Sequence, residues 1–593
     1  MEKYTDKYHP LFVPGTYSIY SSILIRHQHK VTFNKYKLLS QLEDDGASQG
    51  NSYQIGKQHD YLEADYNYKY QKNRKFKDIP DLKTKFGVIL IPQPTNSIND
   101  PLNWSKRRKS LHFIILLLLT AFNAAISNDA SAPTDSINAL TGISYSTLND
   151  TAGVLFVAIG VSTWLYSPFD YLLGRKIVVV LGALFLFLGS MWYARMKNDG
   201  DSFGSQILIG FGSGSSDAHV QLCFSSIFFT HQLGAVTTIY NMAYALGTFL
   251  GPLIANYVSA SLGFRWVGWS GTIAGASILL IVLFAFEENA FEYYRFKYRN
   301  DDLTLNLSLM KYGILSASET DDSVHLGYYD EKFGWWRRFS PFKLTPNPKF
   351  RTIKGFTKHY LKLLTLPVRC LWFPPVLFAG ALCGLQNALL TFYLTTEDTL
   401  LYDPPFNYDN SRVALMNVPC IVGSIIGCLY AGSITDYFTL YLARKNDGVV
   451  ESEFRLYFAF LSGTFGAVGL LMFGFGISRN LDWRVFYIGL GFIAYMFSSS
   501  MNLAMLYVMD TYRDLVLETL VGVAFINNMF GCIFTFACSP WLETSGIENT
   551  YITLAVISLI FMYSAGLFIV WGKKWRLMTR KTYVELVNIK QDN

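Results

Sequence analysis

Apolar stretches of about 20 residues, each long enough to cross a bilayer as a helix, recur near residues 110–128, 151–171, 177–194, 205–229, 236–260 and 266–286. A long polar stretch from Glu287 to Cys370 interrupts them, and six more follow near residues 372–394, 413–435, 456–477, 484–508, 518–539 and 550–571. Six, loop, six predicts an all-α polytopic membrane protein. Its bundles are expected at residues 110–286 and 371–571, with a central loop at 287–370 and tails at 1–109 and 572–593.

Charge orients the pattern. Lys and Arg are retained on the cytoplasmic side of membrane helices. They gather at Lys106 to Lys109, Arg175, Lys176, Arg444, Lys445, Arg455, Arg513, Lys573 and Lys574, with fewer (Arg195, Lys197, Arg265, Arg412, Arg479, Arg484) at the opposite ends. Both termini are therefore expected in the cytoplasm, and no cleavable signal precedes the first span. The N-terminal tail is polar, without helical periodicity, and reads as largely disordered. Ahead of the seventh span, Lys354, Lys358 and Lys362 recur every four residues beside Phe356, Tyr360 and Leu364. That pattern suits a helix lying on an anionic leaflet; a plain connector with solvated lysines reads equally well.

Composition excludes several classes. Of 593 residues, 51% are hydrophobic and only 16% charged, against roughly 25% charged in soluble domains. The net charge of +6 lies mostly beside the apolar runs, so no nucleic-acid groove is implied. The seven cysteines sit in or beside apolar segments without C-x-x-C pairs, which argues against disulfides and zinc. No phosphate loop, nucleophile motif or metal cluster marks an enzyme, and no cofactor is expected.

Gly247, Gly251 and Pro252 form G-x-x-x-G-P in the fifth span. Small residues there permit close helix contact, and the proline disturbs the backbone ladder. Gly174-Arg175-Lys176 closes the loop after the second span, with Asp170 one residue ahead of the acidic position usual for that loop. Gly432 and Asp436 repeat the front of the same motif six spans later, with basic residues delayed to Arg444 and Lys445. Together these resemble the drug:proton antiporter branch of the major facilitator superfamily. The segments Asp100-Pro101-Leu102-Asn103-Trp104, Gly142-Ile143-Ser144-Tyr145, Met416-Asn417-Val418-Pro419 and Glu453-Phe454-Arg455-Leu456 are similar to a fungal plasma-membrane subfamily of polyamine and cation transporters linked to histidinol uptake. The resemblance covers the chain from about Leu90 onward. It implies the major facilitator fold of twelve helices in two pseudo-symmetric halves, alternating access, and gating by the charged loop residues. Gln206 stands where many relatives carry arginine, which departs from the usual exporter arrangement for proton coupling.

Asp217 falls near the middle of the fourth span, deeper than any other carboxylate. A charge at the bilayer centre costs roughly 2.5–3.5 kcal/mol on insertion scales, so such residues tend to face a wet pathway. On a continuous helix Asp217 would share a polar stripe with Ser213, Gln221 and Ser225. By analogy with the fold, Asn123, Asp129, Asn241, Tyr244, Gln386, Asn387, Asn502 and Asn527 are further candidates to line the cavity. For any single one an interhelical hydrogen bond is the readier reading, whereas Asp217 is the first choice for a substrate-cation or proton site, its alternative being a packing residue paired with His219. Acids outnumber bases in the outer loops, Asp150, Asp199, Asp201, Asp482, Glu543 and Glu548 among them, which concentrates cations at the mouth.

The sequence thus predicts a monomeric secondary transporter of small organic cations, polyamines or related amines, with protons as candidate co-substrate and the lipid bilayer as its other partner. A proton-coupled exporter and a non-transporting nutrient receptor are the alternatives. Epitope tags at either terminus or in the central loop should be reachable by antibody only after permeabilisation. Labelling of the central loop on intact cells would reject this orientation.

Overall fold

The computed structural model describes residues 14–18, 84–85, 88–89, 99–129, 134–291, 334, 338–342, 352–401, 406, 408, 410–446 and 449–591. Most of the N-terminal tail and of the central loop, for which disorder and a connector role are expected, lies outside the described residues. Ten of the described helices are long and apolar enough to cross a membrane. Two departures bring the crossings to twelve. Helix Val516–Tyr563 is two spans, because Gly546, at φ 71°, turns the chain in a region that suits glycine. The fourth span is broken into two pieces, each too short to count alone.

We number the crossings α1 (Lys106–Asp129), α2 (Tyr145–Leu172), α3 (Arg175–Tyr193), α4a (Asp199–Ser213) with α4b (Ala218–Ile227), α5 (Thr230–Leu262) and α6 (Phe264–Ala285) in the first half. The second half holds α7 (Pro374–Leu400), α8 (residues 410–445), α9 (Phe458–Ser478), α10 (Trp483–Thr511), α11 (residues 516–545) and α12 (residues 547–591). Exposed apolar side chains recur at helical spacing, as with Val418, Val422, Ile426 and Leu429 on α8 or Ile552, Val556 and Ile560 on α12. These stripes face the hydrocarbon.

Small residues set the helix contacts, since lipid tails give no hydrophobic drive for helices to associate. A methyl on Gly247 would strike the Ala121 carbonyl, and one on Gly251 would lie 2.7 Å from the Ala125 Cα. The G-x-x-x-G-P segment thus seats α5 on α1. In the other half, Gly423 and Gly427 of α8 lie against the α10 carbonyls of Gly491 and Tyr495.

The halves meet along α2 with α11 and along α5 with α8. At one end of the spans, the Asn149 amide donates to the Thr535 carbonyl at 3.0 Å. Further along, Phe156 lies over Gly531 and the Trp164 ring meets Phe525 edge-on. Toward the other end, Thr238 of α5 lies against Gly432 of α8. The halves therefore touch at both ends, an occluded arrangement.

Two elements run beyond their expected ends. α8 continues past residue 435 to Lys445 through a π-helical turn, Tyr430–Ile434. The expected tail after residue 571 stays helical to Gln591 and buries Arg576, Tyr583 and Leu586. Ahead of α7, the basic amphipathic segment forms helix Ile353–Cys370 with Lys354, Lys358 and Lys362 exposed. Its opposite face is fastened to α2: the Tyr360 hydroxyl donates to the Leu165 carbonyl and the Trp164 indole to the Leu364 carbonyl, each at 2.9 Å.

Replacing Gly247 by Val should disrupt the α1–α5 seat, since overpacking costs roughly 1–3 kcal/mol. In detergent, the monodisperse fraction is expected to fall by about half or more, with a melting temperature several degrees lower. A melting temperature matching the parent would show that α1 yields without cost.

Candidate functional site

The site begins with a local failure of helix. Residues 210–216 read Gly-Phe-Gly-Ser-Gly-Ser-Ser, a run that favours no regular structure, because glycine loses more entropy on ordering and serine hydroxyls compete for the backbone. Ser215 and Ser216 donate back to the carbonyls of Gly212 and Ser213 at 2.8 and 2.7 Å. The helix stops at Ser213 and restarts at Ala218. Neighbouring side chains satisfy the freed carbonyls: Ser162 donates to Gly210 at 3.2 Å, Thr163 to Gly214 at 3.0 Å, Tyr166 to Phe211 at 2.9 Å and Tyr240 to Ser216 at 3.0 Å.

Asp217 occupies the N-cap position of α4b, where the helix dipole favours a negative charge. It is half-buried, and the Asn528 side chain of α11 lies beside it, its amide donating to the Ala524 carbonyl at 2.8 Å. It faces a narrow space between the halves, bordered by Tyr240, Asn241 and Tyr244 of α5, Cys383 of α7, Met501 and Met505 of α10, and Asn527 of α11. It is the one acid among the described lining residues. The space admits little more than a water molecule in this conformation. The expected continuous stripe from Ser213 to Ser225 is replaced by this break: Ser213 bonds Ser127 of α1 at 2.6 Å on the far side of it.

The other candidates separate into groups. Asn241 and Asn502 pair across the halves at 2.9 Å, and Asn502 also donates to Thr238 at 3.2 Å. Asn387 donates to Asn527 at 2.8 Å within the second half. Gln221 does not line the space; its amide reaches Met505 Sδ at 3.1 Å. Asn123, one turn before Ser127 on α1, is buried, and neither amide atom has a partner among the described residues. Gln386 is likewise buried and unpartnered, in a smaller space with Phe249, Tyr393 and Phe497. Asp129 lies away from the central space, in a pocket beside Ser190, Tyr193, Val267 and Gly271. The last turn of α1 aims it toward α3 and α6.

The loop motifs also resolve. Asp170 is fully buried and meets His219 Nδ1 at 2.5 Å, while His219 Nε2 contacts the Thr163 carbonyl at 3.1 Å. His219 therefore pairs with Asp170, not with Asp217. Gly174 starts α3, and the Glu288 carboxylate accepts from the amides of Arg175 and Lys176 at 3.2 and 3.1 Å. The Lys176 ammonium is spent on the carbonyls of Leu283 and Phe339, both at 2.9 Å. Beside them Glu287 is held by Arg108 and Arg338. Burial opposes its charge, but the two guanidinium groups pull its carboxyl below the ordinary value.

In the second half, Asp436 pairs with Arg455 at 2.6 Å, and Arg455 also holds Asp510 at 2.8 Å. Arg444, expected as the basic partner, is exposed at the end of α8, because the extra helical turns carry it past Asp436. Gly234 of α5 sits against the Asp436 carboxylate, where a methyl would approach to 2.8 Å. This triad joins α8, α9 and α10 where the first half touches them. In the sequence Arg455 shows as a basic residue near a span end and as part of Glu453-Phe454-Arg455-Leu456, without its carboxylate partners. The pairing needs the 3-10 turn Ser452–Tyr457, which hydropathy does not report.

Twelve crossings in two halves around a buried carboxylate define a membrane transporter of the major facilitator type. The Major Facilitator Superfamily profile matches residues 111–536, and the chain belongs to that family. It is 40% identical to Protein HOL1 of Saccharomyces cerevisiae over the full length of both chains. It is 38% identical to an uncharacterised MFS-type transporter of Schizosaccharomyces pombe, over 86% of this chain and 91% of that one. Among solved structures, the proton:xylose symporter XylE shares the fold at a TM-score of 0.52 and 12% identity, covering 79% of this chain and 97% of that one. Fold and relatives are those of transporters, not enzymes.

Arg455→Gln removes the cation that Asp436 and Asp510 share and should lower transport per surface molecule at least tenfold. Asp436→Asn leaves the Arg455–Asp510 pair intact, and a loss of about two- to fivefold is expected. Equal losses for the two variants would show that Arg455 does not link them.

Proposed function

We propose that the chain carries organic cations, polyamines or related amines, across the plasma membrane by alternating access, with Asp217 as the anionic anchor. The observation that carries this reading is a lone carboxylate, at a break in a membrane helix, facing a space bordered by tyrosines between two separable halves. A carboxylate balances one ammonium, and the faces of Tyr240 and Tyr244 suit cation–π contact of roughly 0.5–2 kcal/mol. With both termini in the cytoplasm, the membrane potential favours inward movement of a cation by about 2.3 kcal/mol per charge per 100 mV. The Asn241–Asn502 pair is the contact that would part when the site opens.

The buried Asp170–His219 pair supports a second reading, amine export in exchange for protons. A chain-deleted strain that retains more labelled amine than its parent would favour it; one that takes up less favours import.

Asp217→Asn keeps the size and much of the hydrogen bonding while removing the charge. Uptake of labelled spermidine should fall at least tenfold, about 1.4 kcal/mol of transition-state stabilisation, with surface abundance near normal. Asp217→Glu should retain part of the activity with altered preference among amines. Unchanged uptake per surface molecule in Asp217→Asn would refute the anchor and leave the fold untouched.

A further inference from the structure

Residues 14–18, near the start of the chain, are not solvent-facing tail. Strand β1 (Thr16–Ser18) pairs antiparallel with β2 (Val449–Glu451) in the loop between α8 and α9, with Thr16 opposite Glu451 and Ser18 opposite Val449. Pro14, just ahead of it, is buried and offers its carbonyl to Arg576 of α12. That guanidinium is fully buried and also grips Glu453 at 2.6 Å and Glu451 at 2.7 Å. Gly15 stands at φ +79°, and a methyl there would lie 2.8 Å from the Thr511 Cα and 2.9 Å from Ser452 Oγ. Only glycine meets both the backbone angle and the space.

The residues under this segment are neighbours of the triad. Ser452 begins the 3-10 turn that carries Arg455, and Thr511 follows Asp510. We propose that the face formed by β2, Ser452, Thr511 and Arg576 is a docking site for an extended, glycine-containing peptide, filled in cis by residues 14–18. Its occupation fixes the turn that presents Arg455 to Asp436 and Asp510 and so holds this end of the transporter closed. Strand addition supplies backbone hydrogen bonds, and the pocket above Thr511 supplies selectivity for glycine. A tail that leaves the site frees the turn, which couples whatever acts on the N-terminus to the gate.

The test uses the full chain. Opposed Cα atoms of an antiparallel pair lie about 4.5–5.5 Å apart, within disulfide range, so the double variant Ser18→Cys with Val449→Cys should crosslink under mild oxidation while each single variant does not. Adding Gly15→Val should cut the crosslink yield at least tenfold. Separately, nitroxides at Arg107 and Tyr437, both exposed on the same end of opposite halves, report the opening without any substrate. Gly15→Val should add a longer-distance population absent from the parent, and deletion of residues 1–18 should do the same should the valine variant fail to fold. No crosslink, or a distance distribution unchanged once the segment is released, overturns the proposal.

Discussion

The structure depends on one rule of the hydrocarbon phase: every backbone polar group inside it must find a partner within the protein. Eleven of the crossings meet the rule by unbroken or gently distorted helix. The fourth does not, and its broken middle survives because α2 presents Ser162, Thr163 and Tyr166 on one face and α5 presents Tyr240 from the other side. An unsatisfied amide or carbonyl in such surroundings costs several kcal/mol, more than the break could bear four times over. The break in turn gives Asp217 what a continuous helix could not, a helix N-terminus directed at a mid-membrane carboxylate. Site and scaffold are therefore one arrangement, and the hydroxyls of α2 act as positioning groups for an acid they do not touch.

The contacts within each half differ in kind from those between halves. Within a half, glycines bring backbones to van der Waals distance, and such seats do not come apart without exposing packed surface. Among the described residues the polar contacts between halves are few and uncharged: the amide pair Asn241–Asn502 with the bond from Asn502 to Thr238, the contacts of Gln221 and Thr237 with the sulfurs of Met505 and Met509, and the bond from Asn149 to Thr535. Interhelical hydrogen bonds in membranes average only about 0.6 kcal/mol. Such bonds specify register while costing little to break, as rocking of two rigid halves requires. The charged triad around Arg455 lies wholly within the second half, and α5 of the first half meets it through Gly234, packed against the Asp436 carboxylate.

Much of this was legible in the chain. The count and placement of spans follow from hydropathy because bilayer thickness fixes helix length, and Asp217 stood out because a lone deep acid needs a reason. The break was not read, although Gly210-Phe211-Gly212-Ser213-Gly214-Ser215-Ser216 carries its signal openly; a 20-residue apolar window averages over it. Partners were read least well. His219 sits two residues from Asp217 in sequence, yet the turn of α4b points it at α2, where Asp170 waits. Arg444 lies nearer to Asp436 along the chain than Arg455 does, and helix geometry carries it away. Asp129 failed as a cavity candidate for the same reason. Depth in the membrane is a one-dimensional property that sequence reports, whereas direction around a helix depends on neighbours it does not name.

The two halves repeat one fold but solve the same problem at their inner ends with inverted chemistry. In the first, a carboxylate, Glu287, is buried between the guanidinium groups of Arg108 and Arg338, so a segment of the central loop closes the cluster. In the second, a guanidinium, Arg576, is buried between the carboxylates of Glu451 and Glu453, and the N-terminal segment closes it. Breaking a buried pair by removing one partner costs roughly 3–5 kcal/mol, because the remaining charge is left uncompensated. Each cluster therefore ties a segment from outside the bundle to one half only, and neither spans the interface. Each segment changes the stiffness of the half it closes; the one at Glu287 can stay docked while the halves rock, whereas on the proposal above residues 14–18 leave before this end opens. Of the two, the second borders the Arg455 triad directly through the turn at Ser452. Stiffness at that place bears on the gate, whereas the same stiffness around Glu287 bears on how α1, α3 and α6 hold together.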